Sequence, residues 1–284
     1  MSARAETVAL VALLRAGRRP WSEYAARVEQ TGEVAAVLEE ELGLLASQET
    51  EAATADLARW NDQGIGALSV LDPAYPENLR AVHDRPPLIF LAGRLERADS
   101  RAVAVIGSRR ASPEGLGRAT AISRQLVTEG YTVASGLAAG IDSAAHLAAL
   151  DSGGRTIAVL GTGLLKCYPP QNAALQARIA GECTVISQFW PEAPPTRKSF
   201  PLRNAVMSGI SLATVVVEAS PTSGARTQAR LALAHGRPVL LADSLLRQDW
   251  ARELSRRPGT HVVGSPTEVT EIVGRITAPG ALVA

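Results

Sequence analysis

The amino-acid sequence predicts an α/β protein: an extended Rossmann-like parallel sheet with helices on both faces, preceded by a small all-α domain. From residue 102 onward, short and fully apolar strands alternate with helical segments, which is typical of parallel sheets covered on both faces. The first 64 residues show only helical periodicity. A chain of 284 residues can form one large or two modest domains. We therefore predict a helical domain over 1–64 and a Rossmann-like domain over 65–284.

The N-terminal segment contains four stretches of helical character. They lie at residues 7–16, 21–31, 33–45 and 48–62. Pro20 precedes the second stretch and Gly43 marks the end of the third, and both residue types are common at these helix ends. No residue here points to catalysis, so we interpret the segment as a helical bundle that packs against, or recruits, another element.

The strands and helices after this segment follow in a regular order. Two apolar runs at 67–71 and 88–92 flank a proline-rich loop. Further strands are predicted at 102–107, 132–136, 156–161, 183–187, 213–219, 238–243 and 261–264, with helices at 117–130, 143–152, 173–180, 203–212, 225–235 and 249–255. Ligands of doubly wound sheets bind where loops leave the carboxyl ends of the strands. Function is therefore expected in those loops.

Composition excludes several classes of protein. No stretch approaches the roughly eighteen apolar residues of a membrane span, and no small-residue cleavage site follows the N-terminal apolar run. Cys167 and Cys183 alone form neither a disulfide framework nor a four-ligand zinc site. We expect a cytoplasmic protein with no membrane association, no metal and no cofactor.

The net charge of +1 hides an asymmetry along the chain. Residues 1–64 carry 6 basic and 11 acidic side chains, whereas residues 65–284 carry 23 basic and 17 acidic ones. Every basic residue except Lys166 and Lys198 is an arginine. Because the guanidinium fork binds phosphate in a bidentate manner, the basic second domain indicates a phosphate-bearing partner.

The strand at 102–107 ends in the loop Gly107-Ser108-Arg109-Arg110. A glycine at the end of a strand permits a sharp turn, after which backbone amides and guanidinium groups can face an anion. The alternative is a simple turn followed by two solvated arginines.

The next strand ends in a loop of small residues from Ser135 to Asp142, which contains Gly136 and Gly140. Such a loop lets the backbone approach a ligand, and the amides of the following helix N-terminus favour an anion. A phosphate cradle is predicted here. Asp142 is also a natural helix N-cap, and His146, one turn inside the helix, is interpreted as packed or exposed rather than catalytic.

The segment Gly161-Thr-Gly163 resembles the start of a dinucleotide fingerprint, but Lys166 stands where the third glycine belongs. Dinucleotide binding is therefore not expected. A stiff loop with Asn172 follows at the same edge of the sheet.

Two later loops contribute further candidates. Arg203 and Asn204 end the segment FPLRN, and Ser223, Gly224 and Arg226 follow the most apolar strand. No single loop is specific, but five small-residue loops with arginines at one sheet edge form a distinctive set. The candidates for binding a phosphate-bearing partner are Gly107, Ser108, Arg109, Arg110, Ser135, Gly136, Ala138, Gly140, Asp142, Gly161, Gly163, Lys166, Asn172, Arg203, Asn204, Ser223, Gly224 and Arg226.

The set resembles the DNA-processing protein A (Smf) family of bacterial single-stranded-DNA-binding proteins. The matching segments, in order, are LDPAYPENL (71–79), RPPLIFLAG (85–93), AVIGSRR (104–110), ASGLAAGIDSAAHLAAL (134–150), GRTIAVLGTGL (154–164), YPPQN (168–172), FPLRNAVMSGIS (200–211) and VVVEASPTSGARTQARLALAHGRPV (215–239). Their order and spacing match from about residue 71 to residue 240, a span of about 60% of the chain. The acidic helical segment is similar in size to the sterile-alpha-motif-like domain of that family.

The resemblance implies a non-enzymatic homodimer that binds single-stranded DNA without regard to sequence. It also implies that the protein hands this DNA to the RecA recombinase during natural transformation. Arg109 would be the main phosphate contact. Ser135, Gly136 and Gly140, with the amides around them, would form the main pocket, and Arg203 and Asn204 would lie along its rim.

The sequence departs from the family pattern at several positions. Arg110 replaces a usual asparagine, Gln171 follows two prolines where a lysine is common, and residues 241–246 replace a Pro-Gly segment. No winged-helix domain is expected after the last strand. Three alternatives therefore stay open: a nucleotide-binding or nucleotide-hydrolysing enzyme that uses Glu218, a protein scaffold that uses the helical domain, and a divergent paralogue in phage or plasmid defence.

Overall fold

The computed structural model describes residues 3–278. The helices are α1 Ala3–Ala16, α2 Trp21–Thr31, α3 Val34–Leu42, α4 Ala46–Asp62, α5 Glu77–Arg80, α6 Pro113–Thr128, α7 Ile141–Asp151, α8 Ala173–Glu182, α9 Ser199–Ile210, α10 Gly224–Ala234, α11 Asp249–Ser255 and α12 Pro266–Thr277. The strands are β1 Ile65–Ser69, β2 Leu88–Gly93, β3 Ala102–Gly107, β4 Thr132–Ser135, β5 Thr156–Val159, β6 Thr184–Ser187, β7 Ala213–Glu218, β8 Val239–Ala242 and β9 Thr260–Val263.

The strands form one sheet in the order β1-β2-β6-β5-β4-β3-β7-β8-β9. Seven strands, in the sheet order β6-β5-β4-β3-β7-β8-β9, pair in parallel. This confirms the predicted Rossmann-like fold. β1 and β2 extend the same sheet at one edge but pair antiparallel. The sheet is therefore mixed, with these two strands as its antiparallel edge. An apolar run predicts burial on both faces but not the direction of the strand.

Alternate residues of each strand pack on opposite faces of the sheet. Along β3, Ala104 and Ile106 belong to one buried apolar cluster, while Val103 and Val105 belong to a second. Each cluster also contains residues of the helices on its side. Helices on both faces of the sheet are thus confirmed.

The N-terminal helices are present as the sequence predicts, and they pack on the β1 and β2 side of the sheet. Trp60 of α4 meets the ring of Phe90 edge-on, with 5.2 Å between the ring centroids, and Trp21 of α2 meets Trp190 at the same distance. Residues of α1 to α4 and of the sheet share one apolar cluster. The division into domains at residue 64 stays a prediction.

Three further details differ from the expected elements. Helix α6 begins at Pro113 rather than 117, because the hydroxyl of Ser112 accepts a hydrogen bond from the amide of Gly115 and caps the helix. Helix α9 begins at Ser199, and α12 was not predicted. Within residues 3–278 no helix combines the length and the apolar content needed to span a bilayer.

Candidate functional site

A cavity of about 630 Å³ opens at the carboxyl edge of the sheet. It lies between the loops that follow β3 and β7, two neighbouring strands whose crossovers run in opposite directions along the sheet. This is the switch point at which doubly wound sheets bind ligands. The predicted residues that line it are Gly107, Ser108, Arg109, Arg110, Ala138, Asp142, Arg203, Asn204, Ser223 and Gly224.

The β3–α6 loop presents positive charge at the mouth of this cavity. Arg109 and Arg110 are exposed, and no ion pair within residues 3–278 involves either of them. The Ser108 hydroxyl accepts a hydrogen bond from the Arg110 amide at 3.1 Å, which holds the turn closed. The two guanidinium groups are therefore available to a ligand.

An aromatic surface continues from Arg109. Its guanidinium carbon lies 5.3 Å from the ring centroid of Phe200, in the first turn of α9. The ring of Tyr168 lies 5.6 Å from that of Phe200, and Tyr168 is 42% exposed. A cation and two aromatic rings in a row can contact a phosphate and stack on bases.

The β4–α7 loop differs from the predicted phosphate cradle. The Asp142 carboxylate accepts hydrogen bonds from the amides of Gly136 and Ala138, at 3.2 and 3.3 Å. The Ser135 hydroxyl donates to the carbonyl of Val105 at 2.7 Å. These three donors therefore have partners within the protein, although Ala138 and Asp142 also line the cavity.

Gly140 brings the two loops together. Its φ is +80°, and a Cβ there would lie 2.3 Å from the carbonyl oxygen of Ser108. Only glycine allows this approach. Gly140 therefore positions the β3–α6 loop rather than a ligand.

Arg203 lies in the floor of the cavity rather than along its rim. It is 6% exposed, and its guanidinium donates to the carbonyls of Gly136 and Val159 and to the side-chain oxygen of Asn204. Burial lowers the pKa of Arg203, and the nearby Arg109 lowers it further, against the attraction of Asp142. Burial likewise raises the pKa of Asp142, against the effect of Arg203. The buried charges hold three segments together.

His146 is packed, as interpreted from the sequence. It is fully buried, and its Nδ1 lies 2.7 Å from the hydroxyl of Thr156, which donates its own proton to the carbonyl of Val133. The hydroxyl oxygen therefore accepts from a protonated Nδ1. Burial lowers the pKa of His146 to about 3, so the ring is neutral at physiological pH.

Other predicted residues lie outside the cavity lining. Gly161 lies against the Phe200 ring and Gly163 against the carbonyl of Trp190. Asn172 donates to the carbonyl of Leu137 at 2.8 Å. Two cations line separate grooves: exposed Lys166 beside α8, and Arg226 beside α11.

The structure adds residues that the sequence analysis missed. Phe200 entered the sequence analysis only as part of the segment FPLRN. An aromatic residue at the carboxyl edge of the sheet could have been predicted to line the cavity, as Phe200 does. Gln228 of α10 lines the cavity at 1% exposure, and its amide oxygen and nitrogen have no hydrogen-bond partner among the described residues. Nothing in the sequence around Gln228, in the middle of a helix, predicts that its side chain lines a cavity.

Glu218, the candidate of the enzyme alternative, has a structural role. Its carboxylate accepts hydrogen bonds from the backbone amide and the hydroxyl of Ser112, at the start of α6. The carboxylate thus joins the end of β7 to α6 and the helix N-terminus stabilises it.

Comparison with known proteins decides the family. The model of the family described as DNA recombination-mediator protein A matches residues 66–268. The chain belongs to this family. The match confirms the resemblance carried by the loop segments, which extends over the sheet and most of its helices.

Several relatives show how far the similarity reaches. Protein Smf of Synechocystis sp. is 42% identical over 172 residues, which are 59% of this chain and 43% of that protein. The DNA processing protein DprA of Streptococcus pneumoniae is 40% identical over 177 residues, which are 62% of each chain. The matched part thus spans less than two thirds of either relative.

Solved structures agree with the observed fold. The X-ray structure of DNA processing protein A from Streptococcus pneumoniae matches with a TM-score of 0.71 and 29% identity, covering 94% of this chain and 92% of that one. The homologue from Helicobacter pylori matches with a TM-score of 0.65 and 24% identity, covering 74% and 95%. The first of these matches includes the N-terminal helical region.

Proposed function

We propose that this protein binds single-stranded DNA without regard to sequence, at the cavity between the loops after β3 and β7. The observation that carries the proposal is the row formed by Arg109, Phe200 and Tyr168, of which Arg109 and Phe200 line the cavity. A free guanidinium contacts phosphate, and aromatic rings stack on any base because every base has a π-face.

The surrounding charges favour a polyanion. Arg110 is exposed beside Arg109, and Arg203 places a third guanidinium in the cavity floor. The Helicobacter pylori homologue is described for its mode of single-stranded DNA binding, which supports the same ligand class here. Duplex DNA fits less well, since stacking on these rings requires unpaired bases.

The proposed physiological role is based on the family description. A recombination mediator delivers single-stranded DNA to a recombinase, and we propose that this chain passes its DNA to RecA in the cytoplasm as a homodimer. Natural transformation is the process that supplies such strands. The proposal is non-catalytic, because Glu218 is held by Ser112 and acts as a structural carboxylate.

One observation favours a second ligand class. A cavity of about 630 Å³ falls within the usual range of small-molecule sites and is lined by the unpartnered amide of Gln228. A mononucleotide would fit this volume. Under this alternative, the pocket binds a nucleotide tightly and has no preference for longer strands.

Fluorescence anisotropy with a labelled oligonucleotide distinguishes binding of single-stranded DNA from binding of a mononucleotide. We expect tight binding of single strands, weaker competition by duplex of equal length, negligible competition by deoxynucleoside monophosphates, and a steep fall in affinity with salt. Equal competition by duplex, or complete competition by a mononucleotide at equal phosphate concentration, would contradict the proposal. Release of free base from nucleotides would establish an enzyme instead.

A further inference from the structure

Far from the cavity, His83, Asp84 and His235 bring three metal-ligating side chains together. His83 and Asp84 lie between α5 and β2, and His235 follows directly after α10. One ligand atom from each lies within 4.8 Å of the other two. Among residues 3–278 this is the one group of three such side chains at that spacing.

His235 and Asp84 form a close contact. Nε2 of His235 lies 2.8 Å from Oδ1 of Asp84, both atoms are buried, and the imidazole donates a hydrogen bond to the carboxylate. Binding of a metal ion requires a deprotonated imidazole nitrogen and a carboxylate. A divalent cation would therefore replace the proton that these two atoms share.

Ser208 of α9 orients the imidazole of His235. Its hydroxyl oxygen lies 2.6 Å from Nδ1 of His235 and 3.3 Å from the carbonyl of Ala205. With an ion bound, Nδ1 would donate its proton to this hydroxyl oxygen, and the lone pair of Nε2 would be available to the metal. Metal-ligating histidines are oriented in this manner by a partner on the other ring nitrogen.

We propose that His83, Asp84 and His235 bind one divalent transition-metal ion of the zinc class. Two imidazoles and one carboxylate are a zinc donor set that leaves the fourth position to water. Ligand atoms of a tetrahedral zinc site lie about 3.4 Å from one another, so binding would move Nε2 and Oδ1, now 2.8 Å apart, about 0.6 Å further apart. His83 is exposed, and its ring meets that of His235 at 5.3 Å, so its side chain can turn inward to complete the site.

The ion would join the segment before β2 to the C-terminal end of α10. The N-terminal end of the same helix, at Gly224, lines the cavity. Metal binding would therefore stabilise the position of α10 without touching the DNA site. The inference is independent of the proposed function.

Calorimetric titration of the chelator-treated full chain with Zn²⁺ tests the site. We expect one ion per chain, a rise in melting temperature with excess Zn²⁺ but not with Mg²⁺, and a tetrahedral visible spectrum with Co²⁺. His83→Ala should weaken Zn²⁺ binding at least tenfold, and without metal it should melt at the parent temperature, because the side chain is exposed.

Two matched variants control for other ligands. His261→Ala removes a partly exposed imidazole of β9, and Cys167→Ser removes the partly exposed thiol, so both should bind Zn²⁺ like the parent. Absence of stoichiometric Zn²⁺ binding by the parent would overturn the proposal. Unchanged binding in folded His83→Ala protein would do the same.

Discussion

The β3–α6 and β4–α7 loops lie side by side, after two neighbouring parallel strands, but they use their polar groups in opposite ways. The β3–α6 loop leaves Arg109 and Arg110 exposed and unpaired within the described chain. The β4–α7 loop turns its amides inward to Asp142 and its Gly136 carbonyl to Arg203. The first loop can contact a ligand, whereas the second forms the support beneath it.

This difference shows that a glycine-rich loop at a helix N-terminus is an anion site only when its amides are free. Asp142 supplies from within the chain the negative charge that a phosphate would supply. Changes to the β4–α7 loop and its neighbours should therefore lower stability. Changes to the β3–α6 loop should lower affinity alone.

The largest effect is expected at Arg203. Arg203→Ala leaves the carbonyls of Gly136 and Val159 without their donor and removes the charge that stabilises Asp142. We expect a loss of at least about 3 kcal/mol in the free energy of unfolding, measured by urea denaturation. Arg203→Lys should recover only part of it, since an ammonium group lacks the planar fork.

The control is the exposed residue Arg197, whose replacement by alanine should change stability by less than about 0.5 kcal/mol. If Arg203→Ala unfolds at the parent urea concentration but loses DNA binding, Arg203 is a ligand contact. The comparison between the two loops would then fail.

Acid should destabilise the protein through the buried side chain of His146. Its pKa is about 3 in the folded protein and 6.5 in the unfolded chain, so the unfolded chain binds more protons between these values. The contribution of the neutral ring is complete above pH 6.5 and is lost as the pH falls towards 3. Over two pH units the loss is roughly 2–3 kcal/mol.

His146→Asn keeps a donor near the position of Nδ1 and does not titrate. Its free energy of unfolding, followed by chemical denaturation from pH 7 to pH 4.5, should therefore fall less steeply than that of the parent. His261→Asn, at a partly exposed imidazole, should follow the parent curve. Parallel curves for His146→Asn and the parent would mean that the buried ring accepts a proton in the folded state.

On the exposed side, Arg109→Ala should weaken single-strand binding by about 1.5–3 kcal/mol, the scale of a charge-assisted hydrogen bond. Arg110→Ala should cost less, because only Arg109 lies over Phe200. Neither change should lower the melting temperature, since both side chains are exposed. Anisotropy titrations at fixed salt measure the affinities.

Arg124→Ala is the matched control for these variants. Arg124 is an exposed arginine of α6 without an ion pair within the described residues, so its loss removes the same charge away from the cavity lining. Affinity should stay at the parent value. Equal losses of affinity for Arg109→Ala and Arg124→Ala would indicate that binding depends on the total charge of the protein, and they would contradict a local site at Arg109.

The smallest effect is expected at Tyr168. Tyr168→Ala removes an exposed ring and should weaken binding by about 1 kcal/mol, equally for oligo-dT and oligo-dA, because stacking is tolerant of sequence. Leu202→Ala, at a side chain that is 53% exposed, is the control for lost apolar surface. If Tyr168→Ala weakened binding of one oligonucleotide only, the result would contradict stacking and indicate that Tyr168 recognises a particular base.

Ten of the predicted binding residues meet at one cavity, because their loops all leave the carboxyl edge of parallel strands. Lys166 and Arg226 were placed at the same edge by the same reasoning but line other grooves. Sequence position specifies the edge of the sheet on which a loop lies. The direction of each long side chain depends on what packs beside it.

The sequence by itself determined the alternation of strands and helices, the edge of the sheet at which the candidate loops lie, and the family. These follow from local apolar periodicity and from short motifs, which neighbouring residues carry. Only the tertiary structure decided that Asp142 occupies the amides of Gly136 and Ala138, that β2 runs antiparallel to β6, and that His235 meets Asp84. Each of these depends on groups far apart in the chain, and a buried polar group takes whichever partner the completed fold brings within reach.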